Sequence, residues 1–426
     1  MLESILLFRH LNLFAMTSLK KEYDVHKGLL NGHQVHTLSS TSVLEAVQEQ
    51  TADLLKESKI IYVLHDPCDI RKPSAPKMEH IGKVLSLSKS VVYGYKTFNS
   101  VAVDISQQGV CMLCHTLFST ELPNYMSQES LEKPTLLSAE KQALVATNEH
   151  INSAVLYKKH LRESSEVLKS ANPTVSICHI SDREFDCEHY FESITALGDT
   201  CITRLKLSRL SNEKKTVFTS KGKISKKIAY RKLVDKAFKN KSEYSVEVLE
   251  IKGKVHKNVR CVIEWEAYFL NEKPYTVVRI SLFGEHKPLF EQPMLLITNQ
   301  KVTNAADAKA IYKGYLLRFK IEIVFKFLKT NLGWESFQVR DFESIKNLLA
   351  IGFFLIGYFK ELEAELKAHP LALFLCQLAN SKGKITLFFL LEGLTRLVYF
   401  QEVQQWKEEN NITNEQIEEL VKMLKE

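Results

Sequence analysis

Three features of the sequence predict a mixed α/β fold. Two short apolar, β-branched runs, Ile60 to Leu64 and Thr174 to Ile180, each deliver an aspartate just beyond their ends, Asp66 and Asp182. A long stretch with helical spacing separates them, and from Ala305 onward nearly every segment repeats with helical rather than strand period. Open α/β sheets commonly build their sites outside the carboxyl ends of strands, so the two aspartates stand where chemistry is expected.

Taken in order, Ile60 to Leu64 reads as a strand that stops at His65-Asp66-Pro67. Phe98 to Ile105 alternates, and Val110 to Leu117 resumes after the turn residues Gln107-Gln108-Gly109, which predicts a three-strand meander. Ser138 is placed to cap one long helix carrying Leu144, Ile151, Val155 and Leu156 and ending near Asn172-Pro173. The strand Thr174 to Ile180 follows, then helical spacing from Glu188 to Leu197 and a further strand at Thr200 to Leu205. Alternating runs at Tyr244 to Ile251, Val259 to Leu270 and Tyr275 to Phe283, divided by lysine- and glycine-containing turns, predict an inserted β-rich subdomain. The core pattern returns at Met294 to Thr298. Helices are then expected over Tyr312 to Lys329 and Lys346 to Ala364, with an amphipathic tail from Asn414 to Lys425. This divides the chain into a short amino-terminal region (1–58), a core in two parts (59–205 and 293–340), the insertion (206–292) and a helical carboxyl-terminal region (341–426).

The composition suits such a chain. With 426 residues, 45% hydrophobic and 25% charged, it has material for a large core and is none of the disordered, collagen-like or coiled-coil classes. The net charge of +7 is concentrated: Arg204 to Arg260 holds 18 lysines and arginines against five acids, a net +13, which leaves −6 for the remainder. Such a local field attracts a polyanion, and a solvated lysine-rich surface has the same composition. The eight cysteines lie mostly in apolar runs, as free thiols do in a reducing compartment. Cys111-Met-Leu-Cys114-His115 spells a c-type haem attachment pattern inside a strand-like run and is read as coincidence, and no second cysteine pair completes a zinc site. Met1 to Met16 lacks the basic start and cleavage site of a signal peptide, and the most apolar run, Leu348 to Phe359, falls short of the roughly 20 residues that span a bilayer. A cytoplasmic protein that does not enter the membrane is expected.

Within YKGYLLRFKIEIVFKFLK, Tyr312 to Lys329, the residues Tyr315, Arg318, Glu322 and Lys329 recur at steps of three, four and seven, which puts them on one face of a helix. Leu317, Ile321, Val324, Phe325 and Leu328 form the core-facing side. Taken alone, the polar stripe reads first as an ordinary ion-paired helix surface, with Glu322 within reach of Arg318 or Lys326.

Tyr315-x2-Arg318-x3-Glu322-x6-Lys329 resembles the Y-R-E-K signature of DDE transposases of the insertion-sequence type-4 family. Asp182-Arg183-Glu184-Phe185-Asp186 resembles that family's D-R-E/G-x-D segment, and His65-Asp66 matches its first aspartate. The resemblance runs from Ile60 to the region of Gly357, with acids and basic insertion in the family's order. It implies a ribonuclease-H-like mixed sheet with helices, an inserted basic β-rich subdomain and a helical carboxyl-terminal region. It implies an enzyme that cuts transposon-end DNA and joins it to target DNA by in-line attack on a phosphodiester, acting as a homodimer on paired ends. On that resemblance Asp66, Asp182 and Glu322 are the catalytic acids and hold two Mg²⁺ ions about 4 Å apart, with Mn²⁺ able to substitute. Tyr315, Arg318 and Lys329 match residues that contact phosphates of the transposon end, and Arg204 and Lys206 extend that track. Lys214, Lys215, Lys221, Lys223, Lys226 and Lys227 of the insertion add salt-dependent affinity for DNA.

The chain departs from the family in three places. It reads Asp66-Pro67-Cys68-Asp69 where members often carry a threonine-containing run, so Asp69 stands as an alternative ligand to Asp66, which is nearer the strand end. Met294 occupies the place of an aromatic linked in some members to a hairpin intermediate, which leaves that step open. Lys20 to Glu57 shows no clear helix-turn-helix, so the end-recognition domain is read as short or truncated. Two other readings therefore stand beside the active transposase. One is a truncated or degenerate relic that binds DNA without transposing it, and the other is a ribonuclease-H-like nuclease without strand transfer, which has no need of the Tyr-Arg-Glu-Lys stripe.

Overall fold

Period-two runs of β-branched and aromatic residues form a large mixed sheet in a computed structural model that describes residues 40–417, apart from 105–109, 134, 136, 219–223, 252–253, 286, 331–332, 369 and 382–384. Helix α1 (Ser40–Leu55) leads into strands β1 (Ile60–Arg71), β2 (Gly82–Leu85), β3 (Val91–Val103) and β4 (Val110–Phe118). Helices α2 (Gln128–Glu132), α3 (Ala139–Ala146) and α4 (Ser153–Ala171) precede β5 (Ser176–Ser181), α5 (Glu188–Ala196) and β6 (Thr200–Arg204). Strands β7 (Leu210–Phe218), β8 (Ile224–Lys232), β9 (Asn240–Ile251), β10 (Lys254–Leu270), β11 (Lys273–Phe283) and β12 (Met294–Thr298) come next. Helices α6 (Ala305–Leu316), α7 (Phe319–Thr330), α8 (Phe342–Ala368), α9 (Ala372–Leu378) and α10 (Leu387–Glu409) complete the series.

Ten strands share one sheet in the order β2-β3-β1-β5-β6-β12-β11-β10-β9, with β4 pairing β3 beside β2. β1, β5 and β6 run parallel, whereas β3 is antiparallel to β1 and β12 to β6. Parallel strands need cover on both faces, and helices supply it. On one face Ile311, Tyr315, Ile321 and Leu328 of α6 and α7 pack with Leu64, Ile180, Ile202 and Leu296. On the other, Leu156, Leu161 and Ile194 of α4 and α5 pack with Phe98, Cys201 and Ile297. At Gly314 α6 lies close to β6: a Cβ there would meet Ile202 Cδ1 at 2.8 Å, and the Ile202 side chain would have to shift to admit it. Among the described residues no helix is long and apolar enough to cross a membrane.

Four local expectations change. β1 does not stop at Asp66 but continues to Arg71 along β3. Its parallel pairing with β5 is what ends, at His65 with Ser181, so Pro67 lies where β5 has turned away and a missing N–H is tolerated. The single helix from Ser138 to Asn172 is two. Ser138 caps α3 and Asn152 caps α4, while Asn148 takes a left-handed φ of 57° and the Thr147 hydroxyl donates back to Ala143 O. The helix expected from Tyr312 to Lys329 breaks at Leu317-Arg318, where the N–H groups of both residues reach back only three residues, to Gly314 O and Tyr315 O. Finally, β9, β10 and β11 do not make a sheet of their own. β11 pairs β12, which carries the basic segment into the main sheet, and β7 and β8 form a separate two-stranded ribbon. Residues 1–39 and 418–426, with most of the expected tail helix, lie outside the described residues, as do Lys221 and Lys223.

Candidate active site

The parting of β1 and β5 creates the site. Ser181 is the last residue of β5 paired with β1, so Asp66 and Asp182 are the next residue of each strand and emerge side by side. Strand alternation sends Asp66 to the same face as Leu64, Cys68 and Ile70, which is the face covered by α7. The same alternation turns Asp69 to the opposite face, which favours Asp66 of the two. Asp182 begins a short 3₁₀ turn at Arg183–Phe185, and its Oδ1 accepts from Arg183 N at 2.6 Å while Oδ2 stays turned to the site. Glu322 sits in the first turn of α7.

Arg318 joins the three acids. Lying in the break between α6 and α7, it donates from Nη1 to Glu322 Oε1 at 2.6 Å and from Nη2 to Asp66 Oδ1 at 3.0 Å, and Nη2 is 3.6 Å from Asp182 Oδ2. Burial pushes the Asp66 carboxyl up to about 7, against the pull of Arg318 and with further repulsion from Asp182 and Glu322. Burial alone would lower the Arg318 pKa, but Asp66 and Asp182 hold its guanidinium more firmly charged than usual. Arg318 Nε is buried without a hydrogen-bond partner.

The remaining residues of the stripe face different surroundings. Tyr315 is buried, and its hydroxyl, pushed up to about 12 by burial and by Asp182, is countered by Arg204. Lys329 donates to Asp69 O at 2.5 Å and to Glu335 at 3.0 Å, and Glu335 also accepts from Arg71 N at 3.1 Å. Lys206 is exposed, and its backbone N–H donates to Asp186 Oδ2 at 2.8 Å while Arg209 donates to Asp186 Oδ1 at 2.9 Å. Asp186, buried at the end of the Asp182 turn, thus ties the site to the start of the basic segment.

Behind Asp66 runs a polar network that the sequence did not announce. Asp199 is held below the usual carboxylate range, because hydrogen bonds from His179 and Lys169 outweigh its burial. His179 Nε2 lies 3.1 Å from Asp199 Oδ2, and His179 Nδ1 lies 2.9 Å from His65 Nε2. Burial drives the His65 and His160 pKa values well down, so both rings are neutral. Hydrogen bonds continue from His65 Nδ1 to the Ser100 hydroxyl at 2.8 Å, from Ser100 to His160 Nδ1 at 3.0 Å, and from His160 Nε2 to the Thr116 hydroxyl at 2.9 Å. The chain ends at Asp199, whose charge Lys169 balances at 2.7 Å. In the sequence His65 and His179 sit in apolar runs and His160 in a charged helical stretch, and only chain packing links them.

The donor set of the site is three carboxylates, the oxygen chemistry that a hard divalent cation takes. Arg318 lies among them, and within the described residues no group of three His, Cys, Asp or Glu side chains is arranged to hold a metal ion. Cys111 and Cys114 are buried free thiols in β4, and His115 bonds Asn99 at 2.9 Å. No protein-family model matches the chain, and no curated protein matches it.

Proposed function

We propose that the chain is a DDE transposase: an enzyme that binds transposon-end DNA and carries out its metal-dependent cleavage and strand transfer on a ribonuclease-H-like core. The reading is carried by the convergence of Asp66, Asp182 and Glu322, from two strands and a later helix, on a single guanidinium. An antiparallel meander followed by two parallel strands with helices on both faces supports the ribonuclease-H-like assignment.

Asp66, Asp182 and Glu322 would hold Mg²⁺, or Mn²⁺ in its place, since all three offer hard oxygen ligands. Such ions supply charge stabilisation at a phosphodiester undergoing in-line displacement. The protein's own work is to bind and orient the DNA. Arg204, exposed Lys206 and the lysines of β7 and β8 offer charge to phosphates, with affinity that falls as salt rises. The net +13 between Arg204 and Arg260 is the source of that field. A homodimer on paired DNA ends belongs to the same proposal.

The test is cleavage of a labelled duplex carrying the flanks of the coding region, in Mg²⁺ or Mn²⁺, by the parent and by Glu322→Gln. The parent is expected to cut at a defined boundary, and the variant to bind the duplex without cutting it. The variant's stability should change by less than about 1 kcal/mol, because the Glu322–Arg318 pair is half-exposed on the glutamate side. Equal loss of binding and cutting in the variant would sink the assignment of Glu322. Binding without cutting by the parent would select the degenerate, DNA-binding relic.

A further inference from the structure

We infer that Arg318 is a built-in counter-ion that competes with divalent metal for Asp66, Asp182 and Glu322, so that metal and DNA bind to this site cooperatively. The inference rests on the proposed reading of the site and concerns its regulation.

Three carboxylates face one guanidinium across 2.6, 3.0 and 3.6 Å. One guanidinium does not match three carboxylates in charge. A divalent cation would balance these acids better, but its ligand oxygens would be the atoms that now accept from Arg318. It would also lie within a few ångströms of the guanidinium, where two cations repel strongly in a partly dry site. The two positive groups therefore exclude each other from the acids.

Arg318 is also unfinished as a hydrogen-bonding group. Its residue is 9% exposed, yet its Nε is buried without a partner, so the fork is satisfied only at its tips. Released from the acids, the same fork suits the two oxygens of a phosphate. The position of Arg318 allows the change, since it occupies the turn between α6 and α7 and not the interior of either helix. A DNA phosphate that takes the guanidinium then clears the acids for metal. By linkage, metal that displaces the guanidinium makes it available to DNA, and the coupling is the same in both directions.

The experiment is a calorimetric titration of full-length protein with Mn²⁺, with and without a short DNA duplex, for the parent, Arg318→Gln, Arg318→Lys and Glu322→Gln. The duplex should tighten Mn²⁺ binding to the parent by about tenfold or more. Without duplex, Arg318→Gln should bind Mn²⁺ about tenfold more tightly than the parent, with little further gain from DNA. Arg318→Lys keeps a cation at the turn and should retain part of the duplex effect. A parent whose Mn²⁺ affinity ignores the duplex would overturn the inference without any variant, and so would Arg318→Gln with the parent's affinity. Mn²⁺ binding that is lost in Glu322→Gln but insensitive to Arg318 and to DNA would remove the competition and leave the metal site. Absence of Mn²⁺ binding throughout would remove both.

Discussion

His65 and Asp66 are neighbours on β1, but strand alternation sends them to opposite faces and into opposite kinds of polar environment. On the His65 face the network from Thr116 to Asp199 is buried and neutral over most of its length, each donor meets one acceptor, and its single carboxylate is matched by Lys169. On the Asp66 face three carboxylates crowd one guanidinium, one donor lacks a partner, and a carboxyl is pushed up to about 7 by burial. A satisfied network holds a fold in one arrangement, whereas an unbalanced cluster favours whatever ligand completes it. One strand thus anchors its backbone on one face and presents reactive charge on the other.

The comparison breaks most visibly at His179. Replacing it with leucine leaves His65 Nε2 without its partner and removes one partner of the buried Asp199 carboxylate, so unfolding in urea at neutral pH should show a loss of about 3–5 kcal/mol. A loss below about 1 kcal/mol would mean that the relay is not the anchored side.

The acidic side should respond with the opposite sign. Asp66 has its pKa raised from 3.8 to about 7, so the folded protein binds its proton more tightly than the unfolded chain does. Its contribution to stability is therefore greatest below the unfolded value and is lost as pH rises through that window. Asp66→Asn should stabilise the protein above neutral pH, by at most about 4 kcal/mol, and flatten the stability profile across the window. Denaturant melts at a series of pH values check this, and an unchanged slope would show that Asp66 is not the strained carboxyl.

The smallest effect tests how far the satisfied side extends. Thr116→Val removes the hydroxyl partner of His160 Nε2 at the end of the chain and should cost about 1–2 kcal/mol. It should leave the pH profile set by Asp66 untouched, because the bonds between His160 and Asp199 remain. A change in that profile would couple the two faces and end the distinction between them.

Part of this was legible in the sequence. The runs Ile60 to Leu64 and Thr174 to Ile180 mark β1 and β5, and the apolar spacing of Ile321, Val324, Phe325 and Leu328 marks the buried side of α7. The Tyr315-Arg318-Glu322-Lys329 spacing spans α6 and α7, and the continuous helix that it predicts is interrupted at Leu317-Arg318. The break is illegible locally because no proline or glycine occupies it. At the break the N–H groups of Leu317 and Arg318 bond only three residues back, and the residues on both sides of it pack into one core cluster.

The sequence by itself determined the mixed α/β class, the positions of most strands and helices, the concentration of positive charge in one segment and the three acids as candidates. These depend on residue type and short-range periodicity, which a single chain carries openly. Tertiary structure alone decided that Asp66 and not Asp69 faces Asp182, that Arg318 lies among the acids, and that three scattered histidines line up toward Asp199. Each depends on strand register and on contacts between residues far apart in the chain, and a one-residue change of register would send every one of those side chains to the other face.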